Sequence, residues 1–276
     1  LRKMAYQSNL IVVNHALLIS DAQSKSDIDE SLGFLPESHA VIIDEAHNLT
    51  KAAYHQLTQI FDHRSLNYAL DRIDPKHNHS VRWNNKLRTI AAVHPKFEIT
   101  RNELTNLVDN GRDAIKTFFD KMTSNAFHHF DPDSKYSTKI IINDLNEHFT
   151  PLEKELNELK RSLHSLRNHI RKLREDLLDI DETKEDFLEL HQLFDRSEGS
   201  LSDMLILTES ITSKQNKDYV YWYEGVFRNI SNTTQLILTV NMAPIEPGRE
   251  LANSLFKSVD YCILTSATLR TKLSFD

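Results

Sequence analysis

Nine apolar residues, Leu152, Leu156, Leu159, Leu163, Leu166, Ile170, Leu173, Leu177 and Ile180, are separated by alternating gaps of four and three. That spacing is the a/d seam of a heptad pattern, and no Pro or Gly interrupts it between 152 and 180. A stripe so narrow, with strongly polar flanks, buries its apolar side only against another helix, so it predicts a long helix with a helical partner. Upstream, Leu104, Leu107, Val108, Ile115, Phe118, Phe119 and Met122 also recur at helical spacing. Composition points the same way: the chain has 5 Gly and 7 Pro in 276 residues, where average usage would give about 19 Gly. So few turn formers disfavour a sandwich or barrel. After the seam, Arg196-Ser197-Glu198-Gly199-Ser200 is the next clear turn signal.

The two ends differ from this middle. Leu10-Ile11-Val12-Val13, Val41-Ile42-Ile43 and Tyr261-Cys262-Ile263-Leu264 are short continuous apolar runs, the mark of parallel strands buried on both faces. Cys262 then reads as a buried strand residue. Tyr219-Val220-Tyr221-Trp222-Tyr223 and Leu236-Ile237-Leu238-Thr239-Val240 read as a strand pair joined by a polar stretch containing Asn229 and Asn232. Pro247-Gly248-Arg249 opens a helix with Leu251, Ala252, Leu255 and Phe256 on one face. Ile140-Ile141-Ile142 is the only β-branched run of the middle. The expected architecture is α/β at both ends, 1–52 and 216–276, around a helical block at 53–215, since a connection that long carries structure of its own.

Charge and cysteine content bound the setting. With 33 Lys+Arg against 40 Asp+Glu the net charge is −7, which excludes a global polycation but not a local basic strip on nucleic acid. The single cysteine excludes an intramolecular disulfide framework and a CxxC metal site within the chain. No apolar run approaches the roughly 20 residues of a membrane span, and no signal-peptide pattern opens the sequence. A cytoplasmic setting without membrane contact is the expectation.

The chemistry concentrates after two of the strands. Asp44-Glu45-Ala46-His47 directly follows Val41-Ile42-Ile43, and a carboxylate at the carboxyl end of a parallel strand lies where nucleotides bind in open α/β sheets. Hydrolysis of a nucleoside triphosphate needs one acid to hold Mg²⁺, usually through water, and another to orient or deprotonate the attacking water. A bare Asp-Glu pair fits a solvated turn equally well, its charges favouring the next helix N-terminus. The four-residue word in this strand context is much less common by chance. Thr265-Ser266-Ala267-Thr268 follows the run ending at Leu264. Its hydroxyls fit either a helix N-cap or a hydrogen bond across to His47, if the two strands are neighbours.

With these residues the sequence resembles the DinG/XPD group of superfamily 2 DNA helicases, and most closely its bacterial DinG and YoaA members. The resemblance rests on Val12-Val13-Asn14-His15-Ala16-Leu17-Leu18 and on Val41-Ile42-Ile43-Asp44-Glu45-Ala46-His47-Asn48-Leu49. It rests also on Ala243-Pro244-Ile245-Glu246-Pro247-Gly248 and Leu264-Thr265-Ser266-Ala267-Thr268-Leu269. It implies a partial RecA-like helicase domain interrupted by an all-helical arch insertion, lying between the same two motifs as the helical block here. The implied activity is ATP-driven 5′-to-3′ translocation on single-stranded DNA, with unwinding of forked duplexes. By carry-over, Asp44 would hold Mg²⁺ and Glu45 would activate water, while His47, Ser266 and Thr268 would couple hydrolysis to motion. Asn14 and His15 match the family pattern without a role beyond fixing the turn after a strand.

The departures are equally specific. No Gly-x-x-x-x-Gly-Lys-Ser/Thr occurs in the chain, so the phosphate cradle for ATP is absent, as is a second motor domain with an arginine finger. The chain runs from Leu1 to Asp276 without an initial Met and reads as an internal piece of a longer helicase, inactive by itself. Many members of the group carry a 4Fe-4S cluster on four cysteines just before the Asn-His segment; such a cluster would belong to the parent, because Cys262 supplies no ligand set.

Other candidates are weaker. Between Leu159 and Arg174 there is no acid, but Lys160, Arg161, Arg167, Arg171, Lys172 and Arg174 occur there with His164 and His169. This basic stretch fits either DNA phosphates or a solvated helix face paired with the acid-rich run at 175–189. His77/His79 and His128/His129 read as surface histidines. Tyr221, Trp222 and Tyr223 fit base stacking or, more simply, a strand packed into the core. The contrasting functional class is a non-catalytic helical DNA-binding or protein-docking module. A chromosome-structuring ATPase, also built with coiled-coil helices, would need a Leu-Ser-Gly-Gly-type signature that is absent.

Overall fold

A computed structural model of the chain describes residues 2–27, 33–77, 81–134, 136–178, 185–212, 215–230 and 233–267. In chain order its elements begin with α1 (Arg2–Ala5), α2 (His15–Asp27), β1 (Ala40–Ile43), α3 (Leu49–Leu57) and β2 (Gln59–Phe61). Helices α4 (His63–Ile73), α5 (Val81–Val93) and α6 (Lys96–Ala126) follow, then β3 (Thr138–Ile142) and α7 (Leu145–Phe149). The long helices α8 (Glu153–Leu178) and α9 (Glu185–Thr212) precede β4 (Tyr219–Ile230), β5 (Thr233–Pro244), α10 (Pro247–Asn253) and β6 (Tyr261–Leu264). The fold is mixed α/β with a parallel and an antiparallel strand pairing. Among the described residues no helix is long and apolar enough to cross a membrane.

The chain divides into two compact units. One comprises residues 1–59, 217–220 and 242–276, the other residues 60–216 and 221–241. In the first, β1 and β6 pair in parallel, with Ala40 opposite Tyr261 and Ile43 opposite Leu264. Period-two alternation turns Ile43 and Val41 into a core with Ile19 and Ala22 of α2, Ala53 and Leu57 of α3, and Leu251 and Leu255 at α10. The opposite face of these strands is open, and Ile42 is 66% exposed. Burial on both faces, expected for these runs, is therefore not observed, because helices cover one face of a sheet that has two strands among the described residues. Cys262 is exposed rather than buried, although it lies opposite the core-facing Val41, because every residue of β6 is exposed. Leu10-Ile11-Val12-Val13 is not a strand: residues 10–13 have no regular secondary structure and no ladder partner among the described residues, and Val12 is 88% exposed.

The second unit is organised by α8. Leu156, Leu159, Leu163, Leu166, Ile170, Leu173 and Leu177 are all buried, and α8 packs against both α6 and α9. From α6 come Leu104, Val108, Ile115, Phe118 and Met122, each fully buried. Ile180 lies outside the described residues. The expected turn at 196–200 is instead continuous helix within α9. Phe194 and Leu201 anchor that stretch in the core, and the Ser197 hydroxyl donates to the Leu193 carbonyl, so the helix absorbs its turn-forming residues.

This unit is not purely helical. Its sheet has the order β2-β5-β4-β3, and β3 pairs antiparallel with β4, placing Ile141 opposite Trp222 and Ile142 opposite Tyr221. The expected strand pair at 219–223 and 236–240 is present, longer than its apolar runs suggested. Gly225 is required where β4 meets Phe130, since a β-carbon there would stand 2.5 Å from the ring.

Leu163→Ala, at a position with no exposure, should destabilise the protein by about 2–5 kcal/mol through lost burial and a cavity. Lys172→Ala, on the exposed side of the same helix, should change stability by less than about 0.5 kcal/mol. Urea unfolding of the two variants checks the difference; equal midpoints would mean the seam is not a core.

Candidate functional site

The parallel register of β1 and β6 brings the ends of both strands together. The ladder continues past them: Thr265 N–H donates to the Ile43 carbonyl at 2.8 Å, and Ala46 N–H to the Thr265 carbonyl at 2.9 Å. Asp44 and Thr265 therefore face each other, although 221 residues apart in sequence. The Thr265 hydroxyl donates to Asp44 Oδ1 at 2.6 Å, and Glu45 N–H donates to the same oxygen at 2.9 Å. These two donors, the hydroxyl first, hold the Asp44 carboxyl below the usual carboxylate range. No described group bonds to Oδ2 of Asp44 in the same way, and the side chain is exposed.

Glu45 has φ 49° and ψ 43°, the left-handed conformation. It is the only non-glycine residue with positive φ among those described. A side chain with a β-carbon pays about 1–2 kcal/mol to sit there, and such strain persists only where its surroundings over-determine it. The turn sends the chain out of the sheet into a short 3₁₀ segment, Ala46–Asn48. His47 Nδ1 then lies 2.7 Å from Ser266 Oγ and 3.2 Å from Glu45 Oε2. The Ser266 hydroxyl can donate to or accept from Nδ1, while the Glu45 carboxylate can only accept. His47 is thus the link between the Asp-Glu pair and the residues after β6.

Sequence reasoning placed Asp44, Glu45, His47 and Ser266 in one site, and the structure brings all four together. Thr268 lies outside the described residues. Two further residues named from the sequence, Thr265 and His15, take partners that the sequence did not assign. Thr265 was legible only through the register, which sets it opposite Asp44. His15 donates from Nε2 to the Asp44 carbonyl at 2.9 Å. It is the first residue of α2, whose N-terminus Asn14 caps by accepting from Leu17 N–H at 2.8 Å.

The basic stretch lies on α8, in the other unit. Lys160 pairs with Glu209 at 3.6 Å and Arg161 with Glu158 at 3.3 Å. Arg174 reaches Asp195 at 2.5 Å and Glu198 at 3.1 Å. The acids concerned belong to α8 and α9 themselves rather than to the run at 175–189. Arg171 is bonded to Asn168, and neither it nor Arg167 or Lys172 meets a carboxylate among the described residues. Tyr221 and Tyr223 are buried in the sheet, while Lys139 lies over the Trp222 ring at 5.5 Å. His128 and His129 stack on each other with ring centres 3.9 Å apart, and His79 lies outside the described residues. Among those residues no cluster of three or more His, Cys, Asp or Glu has the geometry to hold a metal ion by itself.

No protein-family model matches this chain, and no curated protein sequence matches it. The site is therefore defined by its geometry alone.

Replacing the Thr265 hydroxyl by a methyl, Thr265→Val, removes a donor that favours the charged form of Asp44. The Asp44 pKa should rise toward the ordinary carboxylate value. An NMR titration of the side-chain carboxyl carbon checks the direction; an unchanged midpoint would show that the hydroxyl does not set it.

Proposed function

We propose that this chain is part of an ATP-driven DNA motor of the DinG/XPD type. In this reading the first unit contributes part of a RecA-like domain, and the helical unit is the insertion between its two motifs. The observation that carries the reading is the hydrogen bond between His47 and Ser266, across 219 residues of sequence. It joins an acidic pair to a hydroxyl-bearing segment at the carboxyl edge of two parallel strands, where a nucleotide-dependent motor needs both.

The geometry is compatible with the roles that the resemblance implies. Asp44 keeps one carboxylate oxygen occupied by Thr265 and Glu45 N–H and leaves the other for Mg²⁺, directly or through water. One carboxylate, with waters and substrate phosphates completing the shell, is a usual arrangement for that ion. Glu45, turned out of the sheet, is the group to take a proton from the attacking water. His47 senses the same carboxylate and passes its position to Ser266, with Thr268 nearby in sequence. The chain contains no Gly-x-x-x-x-Gly-Lys-Ser/Thr motif, so on this reading the cradle for ATP comes from other sequence, and residues 1–276 alone should not turn ATP over.

Single-stranded or forked DNA is the proposed partner. Arg167, Arg171 and Lys172 are the most available cations of the α8 strip. Lys160, Arg161 and Arg174 are engaged in ion pairs, most with an exposed partner, and Arg161 also donates from Nε to the Asn157 carbonyl at 3.2 Å. The Arg161–Glu158 pair is exposed on both sides and such a pair is worth about 0–1 kcal/mol, so a phosphate could exchange with it. A cytoplasmic setting accompanies this reading.

The decisive experiment uses the longer polypeptide that joins residues 1–276 to a phosphate-binding loop. ATP turnover should be stimulated by single-stranded DNA and should fall by about 10²–10⁴-fold in Glu45→Gln, the range expected for loss of a general base. Turnover indifferent to DNA, or surviving the substitution, would instead favour a non-catalytic DNA-binding or docking module.

A further inference from the structure

We propose that His15 is a positioning residue that holds the peptide between Asp44 and Glu45 in the orientation that aims the Glu45 carboxylate. This rests on the reading of Glu45 as the group that activates water, but the structural half of it stands on the turn alone.

Glu45 is strained. Its positive φ is disfavoured by about 1–2 kcal/mol for a side chain of this kind, and the simplest escape is rotation of the preceding peptide plane. That plane contains two polar groups, the Asp44 carbonyl and the Glu45 N–H. The N–H is held by Asp44 Oδ1 at 2.9 Å. The carbonyl is held by His15 Nε2, also at 2.9 Å. With both ends of the plane pinned, rotating it would break two hydrogen bonds at once. Beyond the plane, Asn48 N–H closes on the Glu45 carbonyl and Ala46 N–H on the Thr265 carbonyl, both at 2.9 Å.

Of these contacts, the one from His15 comes from outside the two strand ends. Its chemistry is unambiguous: a carbonyl only accepts, so Nε2 carries the proton. Its own position is well determined. His15 opens α2, Asn14 caps that helix through Leu17 N–H, and Ile19 and Ala22 seat it in the core shared with Ile43 and Ala46. The Asn14-His15 pair therefore does two jobs. Asn14 fixes where α2 starts, and His15 carries that position 29 residues along the chain to the acidic turn. A displacement of α2 would be felt as a change in Glu45 geometry.

The test compares His15→Ala with His15→Gln, whose amide nitrogen can reach a similar place and donate. The first readout is hydrogen exchange of the Glu45 and Ala46 amides. Loss of one hydrogen bond should speed exchange by about 3–10-fold in His15→Ala, with Gln restoring protection. The second readout is ATP turnover by the longer polypeptide described above: kcat should fall about tenfold in His15→Ala with KM for ATP unchanged, and recover in His15→Gln. Unaltered amide exchange in His15→Ala would overturn the clamp whatever the enzyme does. A loosened turn with undiminished kcat, in a protein that Glu45→Gln still inactivates, would overturn the positioning role. If Glu45→Gln is itself without effect, the reading of Glu45 fails and the catalytic half of this proposal with it. The amide exchange still decides the clamp separately.

Discussion

The short parallel ladder between β1 and β6 is the interaction on which the candidate site depends. Four residue pairs in register, extended by the bonds of Thr265 to Ile43 and of Ala46 to Thr265, bring residues 44–47 against residues 265–266. A slip of one residue would turn Ile43 out of the core and move Thr265 away from Asp44, because alternate residues of a strand face opposite sides. Burial of Ile43 among Ile19, Ala53 and Leu251 penalises that slip. The hydrophobic contact thus sets the register, and the register sets the chemistry. Beyond the strand the left-handed residue Glu45 turns the chain, and its carboxylate, out of the sheet.

Such a site asks for a sequence able to hold two distant segments in register. The intervening residues form a unit with its own core, centred on the α8 seam and the fully buried side chains of α6. A folded insertion spares the chain the entropy of closing a long flexible loop. On the proposed reading, that insertion also carries the cations that meet DNA.

What could be read from the sequence follows from the range of the forces involved. The α8 helix was legible because a strict heptad seam is a local pattern with one structural meaning. Its partner α9 was not: polar Ser197 and Thr208 sit in its buried face, and their hydroxyls bond back to carbonyls one turn earlier. Gly199 meanwhile looked like a turn and is an ordinary helical residue with open space around it. The acidic pair was legible from its place after an apolar run, and Ser266 from the same logic. The left-handed conformation of Glu45, the Thr265 hydroxyl on Asp44 and the reach of His15 were not, since each depends on which strands and helices become neighbours. The exposure of Val12 and Cys262 was misread for the related reason that an apolar run signals a strand but not what covers it.

The central claim is that residues after β1 and residues after β6 act as one unit in ATP turnover. A double-mutant cycle on His47→Ala and Ser266→Ala tests it most directly, reading DNA-stimulated turnover in the longer polypeptide. The account predicts non-additivity of about 0.5–3 kcal/mol, with the double variant little worse than the more severe single variant. Losses that simply add would mean that the 2.7 Å contact between His47 and Ser266 is a structural neighbour relation and not a functional one.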